Sequence, residues 1–174
     1  VVLFPQGAAA LSPAADGITF MMLMNSTDPR YLIGEQLKGA PVVKSAGIEP
    51  IPMGYVICAP GGKAGQVGRA DLLQPEDIGR VQSFAITAEY YGFELFYLEA
   101  GSGAEYPVSG DLIKAARESC NLPIVVGGGI RDPSSARIAS EAGADWIITG
   151  NITEEFDDAD QLKEALSLII DAIR

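Results

Sequence analysis

The chain has 174 residues, a net charge of −11, no histidine and two cysteines. That length suits one domain around one core, and the acidity argues against nucleic acid or an anionic lipid face as the main partner. The missing imidazole excludes histidine bases and histidine-bound metals, and Cys58 and Cys120 lack the spacing of a zinc site.

In chain order, Val1–Phe4 reads as a buried strand entered with no cap and no polar lead-in, which predicts that an upstream segment is absent from this chain. Pro5–Asp16 is rich in Pro and Ala and too short for a full helix. Ile18–Met24 is a second strand, Arg30–Ala46 a helix closed by Gly47, and Glu49–Ile57 a third strand. The Met-rich run Met21–Met24 reads as core packing before it reads as a ligand groove, although polarizable Met would suit a prenyl chain. From Cys58 to Gly68 the pattern predicts a long glycine-rich loop. Lys63 and Arg69 would let such a mobile loop cover a diphosphate. Pro75 marks the start of a helix reaching Tyr91. There follow a strand Glu94–Leu98, a helix Ser109–Cys120, a strand Pro123–Val126, a helix Pro133–Ala142 closed by Gly143, a strand Trp146–Thr149 and a helix Asp160–Arg174.

Several of these strands are almost continuously apolar, as parallel strands covered on both faces are. The alternation predicts an α/β fold over residues 1–174 as a single domain. A doubly wound sheet and a (β/α)₈ barrel both remain open. No G-x-G-x-x-G follows a first strand, and glycine turns close the last two strands, which favours the barrel. Six strands against the eight of a full barrel imply that the barrel is incomplete, with its first two βα units absent. No apolar run is long enough for a bilayer and no signal peptide opens the chain, so a cytoplasmic location is expected.

Three strand ends carry chemistry. Val125 and Val126 run into Gly127, Gly128 and Gly129 ahead of a helix, and Trp146–Thr149 runs into Gly150 and Asn151. Glycines let backbone N–H groups close on an anion, and two successive turns of this kind match the paired phosphate loops of barrel enzymes. Each turn alone is equally a plain tight βα connection. The third of these strand ends is Tyr97-Leu98-Glu99-Ala100-Gly101-Ser102-Gly103. Alternation puts Tyr97 and Glu99 on one face, where a phenol and a carboxylate could orient and deprotonate a hydroxyl. A structural ion pair and a core tyrosine are the plainer reading of the same two residues.

The string Tyr97–Ala104 resembles the signature of the geranylgeranylglyceryl phosphate synthase family. So do Val1–Pro5, Leu11-Ser12-Pro13, Met22–Ser26, Pro52–Tyr55, Gly127–Arg131 and Thr149–Asn151, in the family's order and over nearly the whole chain. The resemblance implies a TIM (β/α)₈-type barrel represented by its strands 3 to 8. It implies a prenyltransferase that joins geranylgeranyl diphosphate to the C3 hydroxyl of sn-glycerol-1-phosphate, in archaeal ether-lipid synthesis. Glu99 would be the general base, with Tyr97 and Ser102 beside the glycerol phosphate. The turns Gly127–Gly129 and Gly150–Asn151 would donate N–H groups to its phosphate. The cofactor would be Mg²⁺, with ligands expected upstream of Val1 and none in this chain. A homo-oligomer, dimer or hexamer, is implied, as is proximity to the membrane through the lipid product. A phosphosugar isomerase on a similar barrel, or an inactive phosphate-binding fragment, are the rival expectations.

Overall fold

A computed structural model describes all residues, 1–174. Six parallel strands form one sheet in strictly sequential order: β1 (Val2–Leu3), β2 (Gly17–Leu23), β3 (Glu49–Ile57), β4 (Leu95–Glu99), β5 (Ile124–Gly127) and β6 (Trp146–Ile148). A doubly wound sheet must reverse strand order where its helices change face. Here there is no reversal, and the helices from Ile78 onward pack on one face, while the short helix Gly62–Gly68 lies over Leu23 and Ile57 of the other. Phe96, Leu98, Val56 and Val126 point to that face and pack on Val81 and Ala85 of helix α3 (Ile78–Tyr90) and on Leu112 and Ile113 of α4 (Gly110–Ser119). The other face holds a separate cluster of Leu23, Met53, Tyr55, Ile57, Leu95, Tyr97 and Val125. The sheet is therefore a partial barrel with an inner face and a helix-covered outer one.

Register explains which side chains turn inward. Tyr55 pairs with Tyr97, Tyr97 with Val125, and Ile57 with Glu99, so all five share the inner face. On the outer face, Gly54 lets α3 come close. A Cβ there would lie 2.9 Å from both Ala88 Cβ and Met24 Sδ. Two of the remaining helices are α5 (Pro133–Glu141) and α6 (Ala159–Ala172). Asp132 and Asp158 cap them by accepting backbone N–H bonds at 2.8–3.0 Å.

Three local expectations are corrected. The glycine-rich stretch after β3 is not a loop throughout, because Gly62–Gly68 forms helix α2. Its glycines recur at every third residue, which is a helical spacing of small residues for close packing. A Cβ at Gly65 would meet Leu72 at 3.0 Å, and one at Gly62 would meet the Ser102 carbonyl at 3.1 Å. Secondly, Pro75 does not open a helix. Asp77 accepts from the Gln74 N–H at 2.8 Å, closing a turn, and α3 starts only at Ile78. Thirdly, the helix expected from Arg30 begins as a π-helical turn, Arg30–Gly34, before α1 (Glu35–Ala46). The segment after β1 contains one short 3₁₀ turn, Ala8–Ala10.

Buried Asn25 ties the inner end of the sheet together. Its amide donates to the carbonyls of Ile57 and Asp71 at 2.8 and 2.9 Å, and its carbonyl accepts from the Ile57 N–H at 3.1 Å. Asn25→Ala strands the buried Ile57 N–H, whereas the Ile57 carbonyl keeps the Leu73 N–H at 3.2 Å and Asp71 is open to solvent. The expected cost is about 1–3 kcal/mol for the one group left unpaired, read as a lower urea midpoint at unchanged m-value.

Candidate active site

The strand C-termini gather on one rim, and two cavities open there. The smaller, about 140 Å³, is lined by Ser102 after β4, Gly128 and Gly129 after β5, and Gly150 and Asn151 after β6, with Tyr97 and Glu99 at its base. The larger, about 710 Å³, runs from Glu99 over Tyr55, Leu23 and Met21 toward α1. Phe4, Glu99 and Ser102 line both cavities. The two spaces thus meet at one carboxylate.

Glu99 is buried, with 7% of its surface exposed. Each of its oxygens has a donor: the Tyr97 hydroxyl at 2.5 Å on Oε2, and the Gly101 N–H at 2.6 Å on Oε1. Burial raises its pKa above the usual carboxylate value, and the two donors oppose that shift in part. The Tyr97 hydroxyl is pushed far upward, first by burial and then by the neighbouring carboxylate. Tyr97 therefore remains a donor that orients Glu99, and the carboxylate is the group able to accept a proton.

The glycines make this pair possible. A Cβ on Gly127 would collide with the Tyr97 hydroxyl, and one on Gly128 would collide with Glu99 Oε1 and lie 2.6 Å from the Gly101 nitrogen. Gly128 and Gly129 also sit at φ 82° and 73°, where side chains are strained. Seven of the eight residues singled out from the sequence line the small cavity. Gly127 does not; it gives the Tyr97 ring room to lie against β5. The Asn151 side chain has a bridging contact, accepting the Gly103 N–H at 2.9 Å and so joining the loops after β4 and β6.

Phe4, Ile130, Arg131 and Thr149 carry no chemical signal of their own in the sequence, yet all four line the small cavity. Arg131 bonds the Ala104 carbonyl at 3.3 Å and lies 3.8 Å from Glu155, spanning the same two loops. Of the two cations expected over a diphosphate, Lys63 lines the large cavity; Arg69 instead lies 3.6 Å from Asp28. Met21 lines that cavity too, so part of the Met-rich run faces the groove as well as the core. No group of three or more acidic or cysteine side chains is placed to hold a metal ion. No helix is long and apolar enough to cross a membrane.

The model of the PcrB family matches residues 1–168. A geranylgeranylglyceryl phosphate synthase of Thermoplasma volcanium is 45% identical over 155 residues, which are 89% of this chain and 62% of that protein. The Thermoplasma acidophilum counterpart is 40% identical over 174 residues, the whole of this chain and 68% of that one. Its crystal structure in complex with the substrate sn-glycerol-1-phosphate superposes with a TM-score of 0.95, covering 99% of this chain and 69% of that chain. At 18% identity and a TM-score of 0.54, the 3-hexulose-6-phosphate synthase of Salmonella typhimurium, matched over 91% of this chain and 64% of that one, shares the fold alone. The chain thus spans between about three fifths and seven tenths of the length of these relatives.

Proposed function

The chain belongs to the PcrB family, and from that premise we propose that it carries the substrate-aligning and proton-removing part of a prenyltransferase that joins geranylgeranyl diphosphate to the C3 hydroxyl of sn-glycerol-1-phosphate. The observation that carries this reading is the meeting of a small polar glycine-lined cavity and a long, mostly apolar one at Glu99. Two substrates of unlike chemistry, one a compact phosphate and one a long hydrocarbon, need two such spaces with a shared point of reaction.

The phosphate would rest on backbone N–H groups at Gly128–Gly129 and Gly150–Asn151, with the Ser102 hydroxyl beside it. The C3 hydroxyl would then reach Glu99. As the allylic C1–O bond breaks, its electron pair leaves with diphosphate. The hydroxyl oxygen bonds to C1, and its proton passes to the Glu99 carboxylate. Lys63 is the cation in the large cavity suited to the departing charge. Arg30 also lines it but is held by Glu35 at 2.8 Å. Mg²⁺ would supply further charge neutralisation to the diphosphate. The residues present do not fit a metal site of their own, so the chain's part is binding, alignment and proton removal.

The test is calorimetric titration with sn-glycerol-1-phosphate and with geranylgeranyl diphosphate, followed by assay for geranylgeranylglyceryl phosphate in the presence of Mg²⁺. Binding of both ligands is expected. Product that depends on both is expected from a chain extended to the full length of its relatives, since residues 1–174 fit no metal site of their own and alone should turn over little. Binding of phosphosugars with no affinity for the prenyl diphosphate would move the assignment to an isomerase-type barrel.

A pH dependence follows from the raised pKa of Glu99. The base works only when ionised, so kcat/KM should rise with pH through a midpoint above the usual glutamate value of 4.5. Folding stability runs the opposite way. Between the unfolded and folded pKa values the folded chain holds a proton that the unfolded chain has released. Glu99 therefore contributes stability at low pH that is lost as pH rises through its folded pKa. Rate profiles and urea melts over the same pH range should show these opposed trends.

A further inference from the structure

Phe4 is the apolar residue common to both cavities. It follows β1 and turns to the inner face, where its ring centroid lies 5.5 Å from that of Tyr97 and 6.1 Å from that of Tyr55. Tyr55 and Tyr97 stand 5.1 Å apart, completing an aromatic triad beside Glu99. The two tyrosines are buried, whereas Phe4 is 45% exposed. Ring surface therefore remains open at the place where the cavities join.

Resting on the proposed prenyl transfer, we infer that the Phe4 ring, backed by Tyr55 and Tyr97, stabilises the allylic cation that develops during transfer. When the C1–O bond to diphosphate lengthens, the electron pair goes to diphosphate and positive charge spreads over C1 and C3 of the prenyl group. The junction holds one anionic side chain, Glu99, and that carboxylate is committed to the hydroxyl proton. A carboxylate in contact with the cation could also capture it as an ester. An aromatic face attracts positive charge through its quadrupole and forms no bond with it. The T-shaped packing of Phe4 on both tyrosines, with interplanar angles of 79° and 78°, fixes the ring's attitude. The ring is thus in place before charge develops. Phe4 acts here as a catalytic residue that touches the reacting carbon, while Tyr55 and Tyr97 position it.

The experiment replaces Phe4 with mono-, di- and trifluorinated phenylalanines, which keep the ring's shape and weaken its π face stepwise. The probes are geranylgeranyl-trimethylammonium, a stable cation at the prenyl head, and its neutral isostere ending in a tert-butyl carbon. Both are titrated with inorganic pyrophosphate present. The unsubstituted protein should favour the cation over the isostere by roughly 2–30-fold, and the preference should shrink with each added fluorine. A preference that stays constant across the series, or none in the unsubstituted protein, overturns this inference and leaves prenyl binding intact. Failure of the neutral isostere to bind at all removes the prenyl-transfer reading, and this inference with it.

Discussion

In a chain extended to the full length of its relatives, Glu99→Gln should lower turnover by about 10²–10⁴-fold while leaving both ligands bound. Gln keeps the shape and length of the side chain. Its amide oxygen can still accept the Gly101 N–H now held at 2.6 Å, and the Tyr97 hydroxyl can turn to accept from the amide nitrogen. What disappears is the ability to take a proton. Removing a negative charge beside the phosphate cavity should not weaken sn-glycerol-1-phosphate, so Kd should hold or fall slightly. Single-turnover assays beside calorimetry separate the two effects. A near-normal rate would leave Glu99 as a structural group and send the proton elsewhere. The same variant carries a second signature. Because it lacks the buried carboxylate, it should lose the fall in stability that the parent chain shows as pH rises through the raised Glu99 pKa. A base placed in a desolvated site at the expense of stability is the usual compromise of active sites.

Much of this arrangement was legible in the residues because strands impose alternation. The step from Tyr97 to Glu99 places both on one face whatever the rest of the fold does. β3 agrees with its expected bounds, Glu49–Ile57, because Pro50, Pro52 and Gly54 disfavour a helix and Tyr55, Val56 and Ile57 are strand formers. Helix α2 was hidden for the opposite reason. Gly62, Gly65 and Gly68 weaken a helix taken alone, and only their contacts with Leu72, Leu23 and the Ser102 carbonyl show why small residues recur there. Tertiary packing overrode propensity. The division of labour among Gly127, Gly128 and Gly129 was hidden as well. Three consecutive glycines read as one anion loop, but the register of β5 against β4 puts Gly127 beneath a phenol and Gly128 against a carboxylate. Phe4 had no distinguishing signal, since an aromatic residue at a strand end is ordinary core until a second cavity meets it.

That division of labour yields a contrast between neighbours. Gly128→Val should raise the Kd for sn-glycerol-1-phosphate on the order of 10²-fold or more, from two sources that add. A β-branched residue at φ 82° is strained by about 1–3 kcal/mol. Its side chain would also enter the space of Glu99 Oε1 and of the Gly101 nitrogen, on the wall where the phosphate is expected to rest. Geranylgeranyl diphosphate, proposed to occupy the other cavity, should lose far less. Gly127→Ala should behave differently. Its backbone is in extended strand geometry, and its methyl would displace the Tyr97 hydroxyl, not the phosphate. Turnover should drop as Glu99 loses its orienting donor, with glycerol phosphate binding little changed. Thermal melts with and without each ligand would show that both variants remain folded and would rank their affinities independently of rate. Equal losses of both ligands in Gly128→Val would place the phosphate elsewhere on the rim. Lost glycerol phosphate binding in Gly127→Ala would mean that Tyr97 shapes the phosphate cavity as well as the base.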